Sequence, residues 1–283
     1  MKSYSFSLVI PTINRRDELC LLLNSINKQT YKNFEIIIVD QNENDLLSDV
    51  IEQYKSQFPD FRYIKSSKKG AAYNRNYGAS FAKNEIITFP DDDSIYKNET
   101  LEEMNNFINA YDNFDMYSCN LEFLQSHKFR YQKNVTPITN LNASEHVIEF
   151  TFFYKKNSQI ELFDDDFGVG AKWGSNEIVE LIWNNISKGK KGIFNGNISI
   201  LHPDKSDILD KNRLYNYALG FGASYKKAII VYKQYFLFFQ FLKYVIRNLI
   251  AVVIIPKKRT FYIASLEGKL KGFFSYKNKV ANK

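Results

Sequence analysis

A chain of 283 residues is long enough for one large domain or for one domain with an appendage. Its apolar content of 45% and aromatic content of 16% support a packed core and exclude an intrinsically disordered protein. Because Cys20 and Cys119 stand far apart in no metal-binding spacing, and no secretory signal is visible, the reducing cytoplasm is the expected compartment.

The net charge of +7 is unevenly distributed. Residues 226–283 contain 13 Lys or Arg and one acid, Glu267, for a net charge of +12, whereas residues 1–225 carry −5. A basic tail on an acidic body predicts an anionic partner for the tail. The expected organisation is a domain of residues 1–225 followed by a basic, aromatic-rich helical tail of residues 226–283.

Apolar runs typical of strands alternate with amphipathic runs typical of helices along the first 111 residues. The predicted strands are 6–10, 34–40, 61–64 and 85–89, and the predicted helices are 15–29, 46–57, 71–82 and 98–111. This alternation predicts a parallel, doubly wound α/β sheet flanked by helices, with ligands bound at the carboxyl ends of the strands. Pro11, Asp40 and Asp91 fall at predicted strand ends and are expected to gather on one edge of the sheet.

The pattern is less regular after residue 111. Further strands are predicted at 115–120, 149–154, 192–194 and 198–201, and a further helix at 178–188. The last two strands flank Asn195-Gly196, which is typical of a hairpin turn.

Three adjacent carboxylates, Asp91, Asp92 and Asp93, follow the strand predicted at 85–89. Like charges side by side repel one another unless a cation lies among them. In an extended segment Asp91 and Asp93 face one way and Asp92 the other, so the first pair suits Mg²⁺ or Mn²⁺ shared with substrate phosphates. A solvated acidic turn that caps the helix at 98–111 is the alternative.

The order of five motifs resembles that of the family 2 glycosyltransferases, which have the GT-A fold, over about residues 6–225. The motifs are 7–15 (SLVIPTINR), 37–40 (IIVD), 69–79 (KGAAYNRNYGA), 91–93 (DDD) and 168–177 (GVGAKWGSNE). The third is similar to the family's G-x-x-x-A-R-N-x-G segment, with Asn74 in place of the alanine, and the fourth to its D-x-D signature. The resemblance implies a GT-A-type mixed sheet with a C-terminal helical extension.

The resemblance also implies a nucleotide-sugar donor, with a UDP-sugar favoured. The implied donor-binding residues are Pro11, Thr12, Asn14, Arg15, Asp40, Gly70, Arg75, Asn76, Asp91 and Asp92. Asp40 would accept a hydrogen bond from the uracil or ribose, or else it caps a helix. Arg75 would reach the diphosphate or orient the acidic cluster. Asp93 and His202 are the implied ligands of a Mn²⁺ or Mg²⁺ ion, and a packing role for His202 is the alternative.

The acceptor is expected at the loop before the helix at 178–188. The resemblance implies acceptor binding by Asp165, Asp166 and Trp173, and a hydrophobic plug is the alternative for the indole. The family's loop usually ends in Glu-Asp, whereas Ile178 follows Glu177 here. Glu177 is the expected general base, with a helix dipole that keeps it ionised. Capping of the helix is the alternative for Glu177, and Asp164, Asp165 and Asp166 are the reserve candidates for the base.

Residues 225–255 are unusually apolar and aromatic, but Lys233, Lys243 and Arg247 interrupt them. No uncharged run reaches the roughly 18 residues of a membrane span. Because a basic run follows at 257–259, residues 229–259 are expected to lie on an anionic membrane surface. A core helix whose lysines reach outward is the alternative.

The sequence thus predicts a metal-dependent, inverting glycosyltransferase on the inner face of the bacterial plasma membrane, acting on a surface glycan or lipid-linked precursor. One alternative is a nucleotidyltransferase that makes an activated sugar, although residues 11–16 lack the Gly and Lys of a phosphate loop. The other is a non-catalytic glycan-binding or scaffold protein of the same fold. No nucleic-acid partner is expected, because the tail is too apolar. Homo-oligomerisation, the donor sugar and the acceptor are left open.

Overall fold

The computed structural model describes residues 2–204 and 210–278, so the last five residues of the predicted tail lie outside the described residues. The chain divides into two compact units. The sheet unit comprises Met1–Lys69, Tyr73–Ile160 and Lys190–Asp204, and the helical unit comprises Gly70–Ala72, Glu161–Gly189 and Lys205–Lys283. The predicted boundary between residues 225 and 226 lies inside a helix of the helical unit.

Nine strands of the described residues form one mixed sheet in the sheet unit. They are β1 (Phe6–Thr12), β2 (Phe34–Asp40), β3 (Phe61–Lys65), β4 (Ile86–Thr88), β5 (Ile95–Tyr96), β6 (Met116–Phe123), β7 (Val135–Ile138), β8 (Phe152–Lys155) and β9 (Gly192–His202). The strand order is β3-β2-β1-β4-β8-β6-β9-β5, and β7 also pairs with β9. Strands β1 to β4 are mutually parallel, and β8 joins β4 in antiparallel fashion. The predicted mixed α/β sheet is therefore confirmed, and β1, β2 and β4 end on one edge.

The helices of the described residues follow the order expected from the sequence. They are α1 (Arg16–Asn27), α2 (Ser48–Lys55), α3 (Ala71–Ala79), α4 (Thr100–Ala110), α5 (Ala143–His146), α6 (Glu177–Ser187), α7 (Lys211–Ile230), α8 (Leu237–Ile254) and α9 (Arg259–Ser275). Short 3-10 turns lie at Glu149–Thr151, Lys156–Ser158 and Pro256–Lys258. Helix α1 buries Leu19, Leu22, Leu23 and Ile26, the spacing of a single helical face, against the sheet.

Two strand predictions need correction. Pro11 does not end β1, which runs on to Thr12. Strand β4 pairs only with Phe6–Leu8, so the side of β1 that faces β4 is unpaired at Pro11, where a residue without an N–H group is tolerated. Asn195-Gly196 is not a hairpin turn between two strands. Both residues lie within β9, which continues alongside β6 through an irregularity in register opposite Cys119 and Asn120.

Glycines allow α7 and α9 to pack backbone against backbone in the helical unit. A Cβ atom added at Gly222 of α7 would overlap the carbonyl oxygen of Lys269, and one at Gly272 of α9 would overlap that of Leu219. Gly268, one turn before Gly272, has the same relation to α7. Side chains at these positions would push the two helices apart.

Helix α8 is buried along one narrow stripe formed by Leu237, Phe241 and Val245. Most of its other positions are exposed although they are apolar: Phe238, Phe239, Leu242, Ile246, Leu249, Ile250, Val253 and Ile254. Phe241 is stacked on Phe273 of α9 with ring centroids 4.4 Å apart. Among the described residues, α8 is the one helix long and apolar enough to cross a membrane, judged by length and composition alone.

We expect Gly272→Ala to destabilise the protein by about 1 to 3 kcal/mol, although alanine favours a helix, because the added methyl group meets the α7 backbone. Urea denaturation would measure the change. Lys271→Ala, at the exposed neighbouring position, is the control and should stay within about 0.5 kcal/mol of the parent protein. Equal stability of both variants would contradict close helix packing.

Candidate active site

The acidic residues after β4 form a turn and not an extended segment. The backbone N–H of Ser94 donates to the carbonyl of Asp91 at 2.9 Å, which closes the turn. Because β5 intervenes and Glu99 occupies the N-cap of α4, the acidic run does not cap that helix. The turn brings ligand atoms of Asp91, Asp93 and His202 within 4.8 Å of one another. We call these three residues the candidate metal cluster.

His202 is oriented by the partners of its two ring nitrogens. Nδ1 donates to the carbonyl of Pro203 at 2.9 Å, and Nε2 lies 3.2 Å from Oδ1 of Asp93. The ring also stacks on Phe150 with centroids 5.0 Å apart. A backbone acceptor at one ring nitrogen directs the other toward a metal ion, as is usual for histidine ligands.

The carboxylates of the turn differ in their ionisation. Burial raises the pKa of Asp93, but hydrogen bonds with His202 and Arg15 outweigh it and hold the pKa at about 2. Burial lowers the pKa of His202, yet its contact with Asp93 leaves that pKa above the ordinary value. Burial raises the pKa of Asp92 to about 7, although Thr12 and Arg15 act in the opposite direction. Asp93 is therefore better suited than Asp92 to hold a cation at neutral pH.

Two arginines bind the acidic turn. Arg75 of α3 is only 4% exposed and donates from Nη2 to Oδ1 of Asp91 at 2.8 Å. Arg15 bonds to Asp93 and lies 3.3 Å from Asp92. Arg75 thus orients the acidic turn, one of its two expected roles, and contact with a diphosphate stays a prediction.

The donor set of the candidate metal cluster fits a hard divalent cation. Two carboxylates and one imidazole leave coordination positions for water and phosphate oxygens, which is how Mg²⁺ and Mn²⁺ are held in phosphate sites. The carboxylate pattern of the sequence predicted Asp91 and Asp93 as a pair suited to a divalent cation. The family resemblance implied Asp93 and His202 as ligands and assigned Asp91 to the donor. The structure brings the ligand atoms of all three residues together.

Asp40, at the end of β2, is completely buried and engaged by protein donors. Its Oδ1 accepts hydrogen bonds from the backbone and side-chain nitrogens of Asn42 at 2.8 and 2.6 Å. Its Oδ2 accepts one from Tyr63 at 2.7 Å and pairs with Lys65 at 3.0 Å. Asp40 does not cap α2, which begins at Ser48, so it orders the loop after β2. Its contact with a nucleotide stays a prediction.

A cavity of about 350 Å³ lies next to this loop, lined by Ile13, Asn14, Gln41, Asn42, Glu43, Asn44 and Lys69. The left-handed backbone of Asn14, with φ of 57°, lets its N–H donate to the side chain of Asn42 at 2.8 Å. Side-chain amides carry both donors and acceptors, as a nucleotide base does. Sequence reasoning missed Asn42 and Asn44, whose signal was a polar run directly after a buried strand.

The remaining predicted donor-binding residues are distributed over both units. Pro11 and Thr12 are buried at the end of β1, and Asn76 is half-buried in α3. Gly70 belongs to the helical unit and has φ of +126°, a backbone conformation that side chains rarely permit. The donor contacts of all four residues stay predictions.

The predicted acceptor loop lies in the helical unit and is closed by its own backbone. The N–H of Trp173 donates to the carbonyl of Asp166 at 2.7 Å. The indole is 4% exposed and packs against Phe167 and Tyr276. This burial favours the packing role of Trp173 over stacking on a sugar, while Asp165 is exposed. Acceptor binding by Asp165, Asp166 and Trp173 stays a prediction.

Glu177 is the first residue of α6 and is 5% exposed. Gly168, with φ of +101°, leaves room for the carboxylate, because a Cβ atom there would lie 2.8 Å from Oε1 of Glu177. The N-terminal turn of a helix favours an ionised carboxylate. The position expected for Glu177 at a helix start is therefore present, and its role as a base stays a prediction.

Glu180, one turn further along α6, is 1% exposed and lies in an ionic network that the sequence did not reveal. It pairs with Lys227 of α7 at 2.5 Å and accepts a hydrogen bond from Tyr232. Lys227 also pairs with Asp164 at 2.7 Å. Burial raises the pKa of Glu180, although Lys227 and Tyr232 oppose the shift. The network ties α6 and α7 to the acceptor loop.

Many solved structures share the fold of this chain. The mannosyltransferase PcManGT from Pyrobaculum calidifontis, in complex with GDP-Man and Mn²⁺, has a TM-score of 0.67 at 12% identity, covering 98% of this chain and 89% of that one. Residues 1–349 of S. aureus TarS, in complex with UDP-GlcNAc, have a TM-score of 0.60 at 14% identity, covering 95% and 89%. At such low identity the similarity shows the fold alone. This chain therefore has the GT-A fold.

The family follows from the sequence match. The model of "Glycosyl transferase family 2" matches residues 7–180, more than half of the chain, so this chain belongs to the family 2 glycosyltransferases. The amylovoran biosynthesis glycosyltransferase AmsB of Erwinia amylovora is 28% identical over 160 residues, which cover 54% of this chain and 52% of AmsB. The chain spans about a third to a half of the length of the first curated relatives that it matches.

We expect Asp93→Asn to weaken Mn²⁺ binding at least about tenfold, because the variant replaces one of the two carboxylate ligands of the cluster by an amide of the same shape. Electron paramagnetic resonance of free Mn²⁺, without nucleotide, would measure the affinity. Asp60→Asn is the control, since Asp60 is an exposed partner of Lys83 in the same unit. Unchanged Mn²⁺ affinity in Asp93→Asn would remove the metal assignment.

Proposed function

We propose that this protein is a metal-dependent, inverting glycosyltransferase that moves a sugar from a nucleotide-sugar to a hydroxyl of a bacterial surface glycan or its lipid-linked precursor. The observation that carries the proposal is the Asp91, Asp93 and His202 cluster at the end of β4. The UDP-GlcNAc complex of TarS supports a UDP-sugar donor. The role of AmsB in amylovoran biosynthesis supports a polysaccharide acceptor.

Each of the proposed functional residues has a distinct task. When bound by the cluster, Mn²⁺ or Mg²⁺ would neutralise negative charge on the leaving diphosphate. Arg75 holds Asp91 in its orientation, and the amides around Asn42 bind the nucleotide base. Glu177 accepts the proton of the attacking hydroxyl. Attack on the face of the sugar opposite the diphosphate then inverts the anomeric carbon.

A screen of sugar nucleotides for Mn²⁺-dependent release of free nucleotide tests the class, the metal and the donor together. A glycosyltransferase releases nucleoside diphosphate from its donor. A nucleotidyltransferase instead releases pyrophosphate from a nucleoside triphosphate and a sugar phosphate, and a scaffold protein releases neither. Nucleotide release that is unaffected by a chelator would contradict the metal-dependent mechanism.

We expect Glu177→Gln to lower turnover at least about a hundredfold, because the amide keeps the shape of the side chain but cannot accept the proton. Donor binding, measured by calorimetry with UDP, should persist. Glu161→Gln, at an exposed acid of the same unit that pairs with Lys188, is the control and should stay near normal. Near-normal turnover of Glu177→Gln would move the role of base to the Asp164–Asp166 segment.

We also propose that α8 docks on the inner face of the plasma membrane. Its outward surface is apolar, with Phe239 72% and Val253 73% exposed, and only 17% of the helix is buried. Lys243 and Arg247 lie among these residues, and the exposed basic run at 257–259 follows. An exposed apolar surface beside clustered cations suits an anionic bilayer surface. Phe241 is buried against α9 and does not belong to this outward surface.

Liposome sedimentation tests the membrane proposal. We expect the protein to sediment with vesicles that contain anionic lipid, and the double variant Phe239→Asp, Val253→Asp to stay in the supernatant. Leu21→Asp is the control, because Leu21 is an exposed leucine of α1, 57% accessible, in the other unit. A parent protein that stays in the supernatant with both neutral and anionic vesicles would show that α8 docks on protein, and sedimentation velocity would then reveal self-association.

A further inference from the structure

Lys269 of α9 is a half-buried cation to which the described residues provide no acidic partner. Its ammonium group donates to the hydroxyl of Ser265 at 2.9 Å and lies 5.3 Å from the ring centroid of Phe221 of α7. No ion pair joins it to a carboxylate of residues 2–204 or 210–278. Because a charge removed from water is costly without a counter-charge, this environment favours a bound anion.

The three helices that surround Lys269 are almost devoid of acids. Helices α7, α8 and α9 contain a single acidic residue, Glu267 of α9. Glu267 is two positions from both Ser265 and Lys269, which is about 200° around a helix, so it lies on the opposite face of α9. It is also exposed to solvent. The three helices therefore do not neutralise the charge of Lys269.

Arg247 of α8 adds a second positive charge to the same place. Tyr244 of α8 packs on the ring of Phe221 with centroids 5.2 Å apart, so it shares that ring with Lys269. Arg247 follows Tyr244 by three residues and lies on the same face of α8. Burial lowers the pKa of Lys269 to about 8, and the positive charge of Arg247 acts in the same direction. An anion between the two cations would relieve their repulsion.

An unused hydrogen-bond donor lies on the same face of α8. The side-chain nitrogen of Asn248 is buried and has no hydrogen-bond partner in the part of the chain that the structure describes. Asn248 follows Tyr244 by four residues, one helical turn, and is adjacent to Arg247. Because buried donors are nearly always paired, this nitrogen indicates a ligand with an acceptor oxygen.

The three side chains match the chemistry of a phosphate group. The ammonium of Lys269, the guanidinium of Arg247 and the amide nitrogen of Asn248 are all donors. A terminal phosphate group carries close to two negative charges and three acceptor oxygens, so it can neutralise both cations and also accept from the amide. A carboxylate carries one charge and would leave one of the cations uncompensated.

The outward surface of α8 favours a lipid as the source of the phosphate. Arg247 is exposed, and its neighbours Ile246, Leu249 and Ile250 are exposed as well. A lipid whose phosphate meets Arg247 would place its acyl chains against these aliphatic side chains. A soluble phosphate compound would leave the same apolar surface in water.

We propose that Arg247, Asn248 and Lys269 form a site for the phosphate group of an anionic lipid. The assignment of the phosphate to a lipid rests on the proposed docking of α8 on the membrane. The phosphate site itself does not, because it follows from the two cations and the amide donor alone.

Thermal denaturation of the full chain with glycerol 3-phosphate tests the phosphate site without a membrane. Lys269→Met removes the charge and keeps most of the side-chain packing, and Lys271→Met removes an equal charge from the exposed, opposite face of α9. We expect about 10 mM glycerol 3-phosphate to raise the melting temperature of the parent protein and of Lys271→Met. The increase in Lys269→Met and in Asn248→Leu should be at most about half as large. An equal increase in all four proteins, as binding elsewhere would give, would overturn the site.

Lys269→Met also reports on the uncompensated charge. In buffer without phosphate it should be at least as stable as the parent protein, because it removes a half-buried cation that has no counter-charge. This result would also show that the variant folds. A loss of stability larger than that of Lys271→Met would overturn the premise that Lys269 is uncompensated.

Vesicles then identify the source of the phosphate. Phosphatidylcholine vesicles that contain phosphatidic acid are compared with vesicles of the same surface charge that contain a carboxylate lipid. We expect the parent protein and Lys271→Met to bind the phosphatidic acid vesicles at least about threefold more tightly, and Lys269→Met to bind both types alike. Equal binding of the parent protein to both types would overturn recognition of a lipid phosphate.

These results separate the phosphate site from the proposed membrane docking. If glycerol 3-phosphate stabilises the protein through Lys269 but the protein sediments with neither type of vesicle, the docking of α8 fails and a lipid source is overturned. If the parent protein and Lys269→Met sediment equally with both types, the docking stands and the lipid phosphate site is overturned. Nucleotide release from a sugar donor tests the transferase separately.

Discussion

Mutual repulsion among three consecutive carboxylates is the constraint on which the functional edge of the sheet depends. Such a run is stable only where cations are supplied from outside it. Here the positive charge comes from Arg75 of α3 and from Arg15 of the loop after β1, and His202 at the end of β9 lies against Asp93. The acidic turn therefore depends on contacts from three other parts of the chain. The carboxylates would attract a divalent metal ion, and the arginines would attract the phosphates that accompany it.

The helical unit meets a similar constraint in its interior. Glu180 is buried, and a buried carboxylate without a partner is costly, so Lys227 and Tyr232 are drawn to it. Because Lys227 also holds Asp164, the acceptor loop is tied to the same point. The main effect of such a network is to fix the positions of its side chains, since a buried ion pair adds little net stability compared with apolar packing. A loop that must present side chains to a ligand benefits from this positioning.

The sequence predicted the first half of the sheet and the acidic turn well, and the helical unit poorly. Strands β1, β2 and β4 are buried on both faces, so they read as continuous apolar runs that leave little ambiguity. The local pattern was misleading at Asn195-Gly196. This dipeptide is typical of a hairpin turn, but pairing with β6 on both sides of it keeps β9 one continuous strand. The partners of Glu180 could not be predicted, because Lys227 is 47 residues away along the chain and only the fold brings the two together. Likewise, the ordering role of Asn42 beside Asp40 depends on side-chain geometry that a motif does not encode.

The sequence pattern of α8 does not predict which of its residues are buried. Its buried stripe, which includes Phe241, and its exposed surface, which includes Phe239, are both apolar, so periodicity does not separate the inside from the outside. The distinction comes from the neighbour, because Phe273 of α9 stacks on Phe241 and leaves the opposite surface of α8 exposed. A helix in water would normally place polar residues on that surface. Under the membrane proposal, Lys243 and Arg247 would reach the lipid headgroups while the aliphatic and aromatic side chains around them would enter the bilayer. The apolar character of α8 thus has two separate causes, packing on one side and the proposed membrane on the other.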